Sequence, residues 1–422
     1  MTALTNLSAD VRQYLIITGN YWLFTLSDGA LRMLVLLHFH QLGYSPLQIA
    51  ALFLFYEIFG VVTNLLGGWL GAHIGLNRTM HIGLLLQVLA LLMLAVPTAW
   101  LSVPLVMVAQ GLSGIAKDLN KMSAKSSIKL LVKPDAHSTL YRWVALLTGS
   151  KNALKGAGFF LGGVLLTVLG FRGAVLAMAA MLALAGLACL VLLRRDLGKA
   201  KAKPKFRDLF SKSRAINVLS AARLFLFGAR DVWFVVALPV YLSAQLGWDF
   251  WQVGGFLASW VMGYGVVQAL APFVTGSQAG QRRGGVQVAL WAAVLALIPA
   301  LIALALDSSS NAAISFSPLF SPTTALLGGL LVFGVLFAIN SSLHSYLIVS
   351  YATHDGVSLD VGFYYMSNAL GRLLGTVLSG WLFQQYGLGL CLWVSAGMLA
   401  FAAAISLALP ETVLAGGKAS AD

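Results

Sequence analysis

Long apolar stretches separated by short polar breaks run along almost the whole chain. Most of these stretches last about 20 residues or more, which is the length that a helix needs to cross a bilayer and well above the ~10 residues of a barrel strand. The stretches, numbered as spans 1 to 12, are 14–38, 46–71, 79–97, 103–124, 140–168, 173–194, 215–243, 250–275, 286–306, 323–350, 360–386 and 389–409. The pattern therefore predicts an all-α membrane protein with about twelve transmembrane helices.

The spans form two groups of six around a basic segment, and the two groups resemble each other. Asp28 in span 1 and Asp231 in span 7 occupy corresponding positions, and "SKNALKG" (150–156) in span 5 matches "MSNALGR" (366–372) in span 11. Parallel repeats of six spans are typical of the major facilitator fold. The predicted units are an N-terminal six-helix half (1–194), a basic cytoplasmic linker (195–214), a C-terminal six-helix half (215–409) and a cytoplasmic tail (410–422).

The loop between spans 2 and 3 departs from the usual signature of that fold. "GWLGAHIGLNR" (68–78) keeps Gly68, Leu70 and Gly75 and ends on a basic residue, but Ala72 stands where the signature has an aspartate. The prediction of the fold therefore rests on the topology and the repeats, and the Asp-centred cytoplasmic contact of the fold lacks its aspartate.

Composition and charge fit a membrane protein whose two termini lie inside. The 422 residues are 59% hydrophobic and 10% charged, against roughly 25% charged residues in soluble domains. Lys and Arg concentrate in the alternate loops that are inside if the N-terminus is cytoplasmic, and Arg172 is the outer exception. The net charge of +13 therefore reads as a topology signal rather than a nucleic-acid surface, and we expect a multi-pass protein of the plasma (inner) membrane without a cleaved signal peptide.

Charged residues inside the spans are the most informative part of the sequence, because each is costly at membrane depth. Eight are basic: Arg32, Lys117, Lys121, Lys151, Lys155, Arg223, Arg230 and Arg372. Four are acidic: Asp28, Glu57, Asp118 and Asp231. Local pairing of Asp28 with Arg32 and of Asp118 with Lys121 is one explanation, and the acids are also candidates for proton coupling.

Even complete pairing leaves more bases than acids inside the spans. Every one of these bases falls on span 1, 4, 5, 7 or 11, which line or flank the central path of a major facilitator fold, and none on the peripheral spans 3, 6, 9 and 12. The excess predicts a cavity that binds an anionic small molecule, with the eight bases as candidate ligands. Pure structural pairing with hydration remains the alternative.

Neutral polar residues in the lining spans could complete such a site or could join helices. They are Asn20, Tyr21, Gln110, Asn152, Asn340, His344 and Asn368. "HFH" (38–40) resembles a metal-binding pair but has no carboxylate or cysteine partner nearby, and we interpret it as interfacial. No nucleophile–base set, nucleotide-binding loop, metal site or cofactor site is recognisable, so we expect a transporter and not an enzyme.

Span 4 ends in a row of lysines four residues apart. In "GIAKDLNKMSAKSSIKLL" (114–131) we interpret Lys117 and Lys121 as site candidates, and Lys125 and Lys129 as topology anchors near the cytoplasmic boundary.

Four stretches of the sequence resemble the ArsJ family of organoarsenical exporters within the major facilitator superfamily. They are residues 20–57, 114–132, 147–163 and 220–242. The resemblance implies secondary active efflux, as an antiporter, of 1-arseno-3-phosphoglycerate, made by a partner glyceraldehyde-3-phosphate dehydrogenase, and hence arsenate resistance. It implies no binding residues. An organophosphate/phosphate exchanger of the same fold is the alternative, and we expect a monomer.

Overall fold

The computed structural model describes residues 8–43, 52–133, 136–193, 197–199, 213–275, 282–310, 321–353, 356–410 and 412–413. Within these residues the helices are α1 (Ala9–Gln41), α2 (Leu54–Ile74), α3 (Leu76–Leu94), α4 (Val103–Leu131), α5 (His137–Leu192), α6 (Arg214–Phe234), α7 (Ala237–Leu246), α8 (Phe250–Val274), α9 (Gly285–Ser310), α10 (Pro322–Tyr351) and α11 (Val357–Ser406). A two-residue antiparallel ladder joins β1 (Arg282–Arg283) to β2 (Thr412–Val413). Most of the predicted linker and tail lies outside the described residues.

The predicted spans correspond to these helices. Spans 1 to 4 are α1 to α4, spans 5 and 6 are α5, span 7 is α6 with α7, spans 8 to 10 are α8 to α10, and spans 11 and 12 are α11. In the described part, eight helical segments are long and apolar enough to cross a membrane. The helices α2 and α4 are not among them, because charged and amide side chains lower their hydropathy. The all-α membrane fold is thus confirmed.

Two of the long helices are hairpins that each contain two spans. Gly170 interrupts α5 with a φ of 65°, and Gly387 interrupts α11 with a φ of 78°. Glycine adopts positive φ without the steric cost that a Cβ brings. Cys189, near the end of α5, packs in the same cluster as Leu140 near its beginning, which shows that the chain has turned back on itself.

Span 7 is broken rather than continuous. It is divided between α6 and α7 at residues 235–236. The backbone N–H of Ala237, at the start of α7, donates to the Ser379 hydroxyl of α11 at 3.1 Å. A side chain of a neighbouring helix thus satisfies a backbone group at the break, as a membrane interior requires.

The apolar core differs between the two ends of the molecule. Around the start of α1 and the end of α4, one buried cluster takes side chains from both groups of six spans, including Tyr14, Tyr141, Tyr346 and Tyr364. At the opposite end each group has its own cluster, one of which includes Phe39 and the other Trp233. Side chains of both groups therefore close the end that the sequence predicts to be cytoplasmic.

Close helix packing positions two of the predicted site bases. At Gly29 of α1 a Cβ would lie 2.6 Å from the carbonyl oxygen of Lys155 in α5. At Gly371 of α11 a Cβ would collide with the backbone of Leu224 in α6. Because glycine allows helices to approach this closely, Lys155 lies beside the Asp28 turn and Arg372 lies beside Asp231.

Candidate functional site

A network of three arginines and two carboxylates links four helices. Glu57 accepts from Arg32 at 2.8 Å and lies 3.8 Å from Arg372. The Nε of Arg372 donates to Asp231 at 3.0 Å, and Arg230 contacts the other oxygen of Asp231 at 2.5 Å. We call these five residues the ion-pair network. It satisfies three of the eight predicted bases with protein carboxylates and connects α1 and α2 to α6 and α11.

A second charged group lies where α1, α2 and α4 meet. The ammonium of Lys121 donates to Asp118 at 2.6 Å, and that of Lys117 lies 4.0 Å from the same carboxylate. The Lys117 ammonium also stands 3.7 Å from the centre of the Tyr56 ring, as in a cation–π contact. The Tyr56 hydroxyl donates to Asp28 at 2.7 Å. The predicted pairing of Asp118 with Lys121 is therefore present.

The local pairing considered for Asp28 and Arg32 is not what the structure shows. Tyr56 and Glu57 are adjacent on α2, and each contacts one of the two α1 residues. Tyr56 donates to Asp28, and Glu57 pairs with Arg32. The hydroxyl and the carboxylate come from a packed neighbouring helix, and contacts between helices are invisible to a rule based on spacing within one helix.

Among the eight predicted bases and Lys125, four have no carboxylate within 4.0 Å in the described part of the chain. They are Lys125, Lys151, Lys155 and Arg223, and we call them the carboxylate-free bases. Arg223 and Lys125 are buried, whereas Lys151 and Lys155 are half-buried. Buried positive charge without a counter-charge is costly, so neutral acceptors, aromatic rings, water or an anion must stabilise it.

The interpretation of Lys125 as an anchor at the membrane boundary is wrong. Its side chain is buried, donates to the hydroxyl of Thr148 at 3.0 Å and is hydrogen-bonded to the hydroxyl of Tyr365. The cause is that α4 continues to Leu131 and packs against both α5 and α11, so that Lys125 faces neighbouring helices rather than a loop. Lys129, one turn later, is half-buried and donates to the Ser350 carbonyl at 3.0 Å. In the sequence, the four-residue spacing that Lys125 shares with Lys117 and Lys121 was the feature that could have identified it as a site candidate.

Neutral groups and aromatic rings hold Arg223. Its Nε donates to the Asn368 side-chain oxygen at 2.9 Å, and Nη1 donates to the hydroxyl of Ser341 at 3.1 Å. The guanidinium lies 3.9 Å from the centre of the Phe227 ring. Within the described residues Nη2 has no hydrogen-bond partner, so one edge of this planar donor stays available to a ligand.

The face of α5 that carries Lys151 and Lys155 lies between the contacts that α5 makes with α1 and with α8. Thr148, Lys151 and Lys155 follow each other at three- and four-residue steps and so share one face. On one side of this face Gly158 packs on α1, where a Cβ would lie 2.7 Å from the Leu26 carbonyl oxygen; on the other, Gly149 packs on α8. Because Thr148 contacts Lys125 of α4, the shared face is directed toward the middle of the bundle.

Some of the neutral polar candidates make hydrogen bonds between helices, and some have buried polar atoms without a partner. Asn152 donates to Gln268 at 2.6 Å, Asn340 donates to the Val288 carbonyl at 3.3 Å, and Asn368 accepts from Arg223. These three join helices. Other candidates are buried but have polar atoms without a hydrogen-bond partner in the described part of the chain: Asn20, Gln110 and His344.

The remaining sequence features occupy apolar surroundings. His38 stacks on Phe171 with ring centres 4.1 Å apart, and the side chain of His40 lies outside the described ones. Cys189 and Cys391 are free thiols, each buried in a different helical hairpin. In the residues that the structure covers, no three metal-ligating side chains come together.

Comparison with known proteins places this arrangement in context. The sequence profile of the Major Facilitator Superfamily matches residues 17–320. The fold is similar to that of the human organic anion transporter MFSD10 (TETRAN), with a TM-score of 0.72, 16% identity, and coverage of 95% of this chain and 100% of that one. No curated protein sequence matches the chain.

Two other solved structures are similar in fold at low identity. A bacterial homologue of the iron transporter ferroportin in the outward-facing state has a TM-score of 0.70 and 14% identity, with coverage of 94% of this chain and 98% of that one. The proton:xylose symporter XylE bound to 6-bromo-6-deoxy-D-glucose has the same TM-score and identity, with coverage of 94% and 95%. At such identities the likeness establishes the fold.

Proposed function

Because the chain belongs to the Major Facilitator Superfamily, we propose that it is a secondary transporter that exports 1-arseno-3-phosphoglycerate and so confers arsenate resistance. Proteins of this superfamily move small molecules across the bilayer and are generally carriers rather than enzymes. The proposal concerns the cargo, the direction of transport and the biological role.

The observation that carries the proposal is the set of carboxylate-free bases. Lys125, Lys151, Lys155 and Arg223 lie on the spans that line or flank a transporter's central path, and nearby carboxylates already satisfy the other bases. A phosphate group carries a charge of about −1.5 to −2 near neutral pH and has several acceptor oxygens. Lysine and arginine are the side chains that bind such oxyanions.

The type of donor also favours a pentavalent oxyanion over trivalent arsenic. Trivalent arsenic is a soft centre that prefers thiolates, by the same logic that assigns soft metals to cysteine. Cys189 and Cys391 are free thiols buried in different hairpins and in different apolar clusters, and two cysteines are too few for a three-thiolate site. An arsenate ester instead needs nitrogen donors, which the centre of this molecule supplies.

The proposed cargo has a phosphate at one end and an arsenate at the other. The resemblance of four stretches to organoarsenical exporters points to this molecule, and the excess of bases fits a ligand with two anionic ends. A cytoplasmic glyceraldehyde-3-phosphate dehydrogenase would form it by using arsenate in place of phosphate. Export would remove an unstable ester, which breaks down to arsenate outside the cell.

Everted membrane vesicles provide the test. Vesicles that contain the full chain are supplied with dehydrogenase, glyceraldehyde-3-phosphate, NAD and arsenate, and arsenic accumulation inside them is measured. We expect accumulation only when all four components are present. Vesicles from cells without the protein, and vesicles supplied with arsenate alone, are the controls.

Two results would reject the proposed cargo. Uptake of arsenite, or equal uptake of arsenate without the dehydrogenase, would show a different arsenic substrate. Exchange of glycerol 3-phosphate for inorganic phosphate, with no arsenic uptake in the complete mixture, would identify an organophosphate/phosphate exchanger instead.

A further inference from the structure

We propose that Lys125, Lys151 and Arg223 form the subsite for a phosphate-like dianion, with His344 as an additional neutral hydrogen-bonding group. The inference deepens the proposed function and rests on it for the identity of the whole cargo, but it concerns one end of that molecule. It also makes Lys125, which the sequence pattern had placed at the membrane boundary, a substrate-binding residue.

Intervening side chains connect the three bases. Lys125 contacts Thr148, and Lys151 follows one helical turn after Thr148 on the same face of α5. Lys125 also contacts Tyr365, and Tyr365 lies against Tyr364 with ring centres 4.9 Å apart. Lys125 of α4 thus contacts both α5, which carries Lys151, and α11.

The connection to Arg223 completes the arrangement. The Arg223 guanidinium lies 5.2 Å from the centre of the Tyr364 ring. It also donates to Asn368, one turn after Tyr364 on α11. Lys121, one turn before Lys125 on α4, lies over the same aromatic ring: the two ammonium groups are 4.8 and 4.6 Å from the centre of the Tyr365 ring.

The charge of this region differs from that of the rest of the core. The ion-pair network places two carboxylates among three arginines, and Asp118 serves Lys117 and Lys121. Near Lys125 and Arg223 the hydrogen-bond partners are instead hydroxyl, amide and carbonyl groups. Lys125 and Arg223 have only neutral hydrogen-bond partners. Together with Lys151 they match a ligand group with a charge of about −2.

His344 supplies an independent observation. Its side chain is 1% exposed, and neither ring nitrogen has a hydrogen-bond partner among the described residues. Buried polar side chains are nearly always hydrogen-bonded. His344 lies one turn after Ser341, whose hydroxyl and carbonyl accept from Arg223, so an oxyanion held by Arg223 would give the ring a partner.

Arg223 and Lys125 retain donors for such a ligand. The Nη2 of Arg223 has no partner in the part of the chain that the structure describes. The hydrogen bonds of Lys125 to Thr148 and Tyr365 use two of its three ammonium protons. Charge-assisted hydrogen bonds from lysine and arginine are the strong kind, and a guanidinium edge fits two oxygens of one phosphate.

The test measures binding of glycerol 3-phosphate and inorganic phosphate to the purified full chain in nanodiscs by isothermal titration, with glycerol as the uncharged control. We expect Lys125→Gln, Lys151→Gln and Arg223→Gln each to weaken glycerol 3-phosphate binding by about 10- to 100-fold, the size of one lost charge-assisted hydrogen bond. Lys129→Gln, one turn after Lys125 on the same helix, is the matched control and should bind as the unaltered protein does.

Two further variants separate lost binding from lost folding. Lys125→Arg keeps the charge and should retain most of the affinity, and His344→Leu should weaken phosphate binding without removing a charge. Unchanged elution and melting temperature would show that the variants are folded. If the Lys125→Gln and Arg223→Gln proteins are folded and bind glycerol 3-phosphate normally, the subsite is wrong.

The outcome is independent of the vesicle experiment. Phosphate binding that depends on Lys125 and Arg223, in a protein that accumulates no arsenic, would support the subsite and reject the proposed cargo. Arsenic accumulation that survives Lys125→Gln and Arg223→Gln unchanged would support the cargo and reject the subsite.

Discussion

Glu57 of α2 and Arg372 of α11 are joined by an ion pair with a nitrogen–oxygen distance of 3.8 Å. The two residues belong to different groups of six spans, and Glu57 also pairs with Arg32 of its own group at 2.8 Å. The Glu57 carboxylate thus connects the two groups of six spans. A movement that separates Glu57 from Arg372 would break this contact.

Replacing Glu57 tests whether the contact between the groups matters for transport. Glu57→Gln leaves Arg32 and Arg372 with one fewer counter-charge, so we expect a marked loss of transport. We also expect a stability loss of about 1 kcal/mol, because water partly screens these side chains. Vesicle transport and thermal unfolding in detergent measure the two effects. A variant with normal transport would show that the ion pair is only a packing contact.

Asp231 should matter more for stability than Glu57. It is fully buried and pairs with Arg230 and Arg372. Removing one partner of a buried ion pair costs about 3–5 kcal/mol, because the other charge remains buried. Asp231→Asn should therefore lower the melting temperature further than Glu57→Gln. The double variant Arg230→Gln with Asp231→Asn should regain part of the loss, and a double variant less stable than Asp231→Asn would contradict this explanation.

Tyr56 carries two contacts that substitutions can separate. Tyr56→Phe removes the hydroxyl that donates to Asp28 but keeps the ring against the Lys117 ammonium. We expect it to lose about 1–3 kcal/mol, the cost of leaving a buried acceptor without its donor. Tyr56→Leu should lose more stability, because it also removes the cation–π contact with Lys117. Equal melting temperatures for the two variants would show that the ring contributes nothing.

The close approach of α1 to α5 predicts a contrast between two glycines of one helix. A Cβ at Gly29 would lie 2.6 Å from the Lys155 carbonyl, whereas a Cβ at Gly19 has no atom within 4 Å. Gly29→Ala should cost about 1–3 kcal/mol by forcing the helices apart. Gly19→Ala should be neutral or stabilising by up to about 1 kcal/mol through helix propensity. Thermal unfolding of both proteins measures the difference, and similar values would refute the packing argument.

The predicted orientation can be read by labelling single cysteines in intact cells. Trp100 is exposed in a segment expected outside, and Lys133 is exposed in one expected inside. A membrane-impermeant maleimide should label Trp100→Cys and not Lys133→Cys, and both should react after the membrane is opened. Native Cys189 and Cys391 are buried and give little background. Labelling of Lys133→Cys but not Trp100→Cys in intact cells would show that the orientation is opposite to the predicted one.

Much of the molecule was predictable because membrane helices follow local rules. The length of each apolar run predicted the spans, and a basic segment between two similar groups of six predicted the fold. The pairing of Asp118 with Lys121 was also predictable, since residues three apart on a helix are neighbours whatever surrounds them. Sequence alone therefore determined the architecture and the excess of positive charge inside it.

Tertiary structure decided which charges are neutralised. Spacing favoured Arg32 as the partner of Asp28. In the structure, Tyr56 of α2 instead donates to Asp28, and Glu57 of α2 pairs with Arg32. Spacing placed Lys125 with the boundary lysines, yet it donates to hydroxyls of α5 and α11. The physical reason is that a long side chain in a helical bundle reaches across to neighbouring helices. The partner of each base therefore depends on how its helix is rotated and on how closely glycines let that helix approach its neighbours. The order of residues along one helix does not determine this partner.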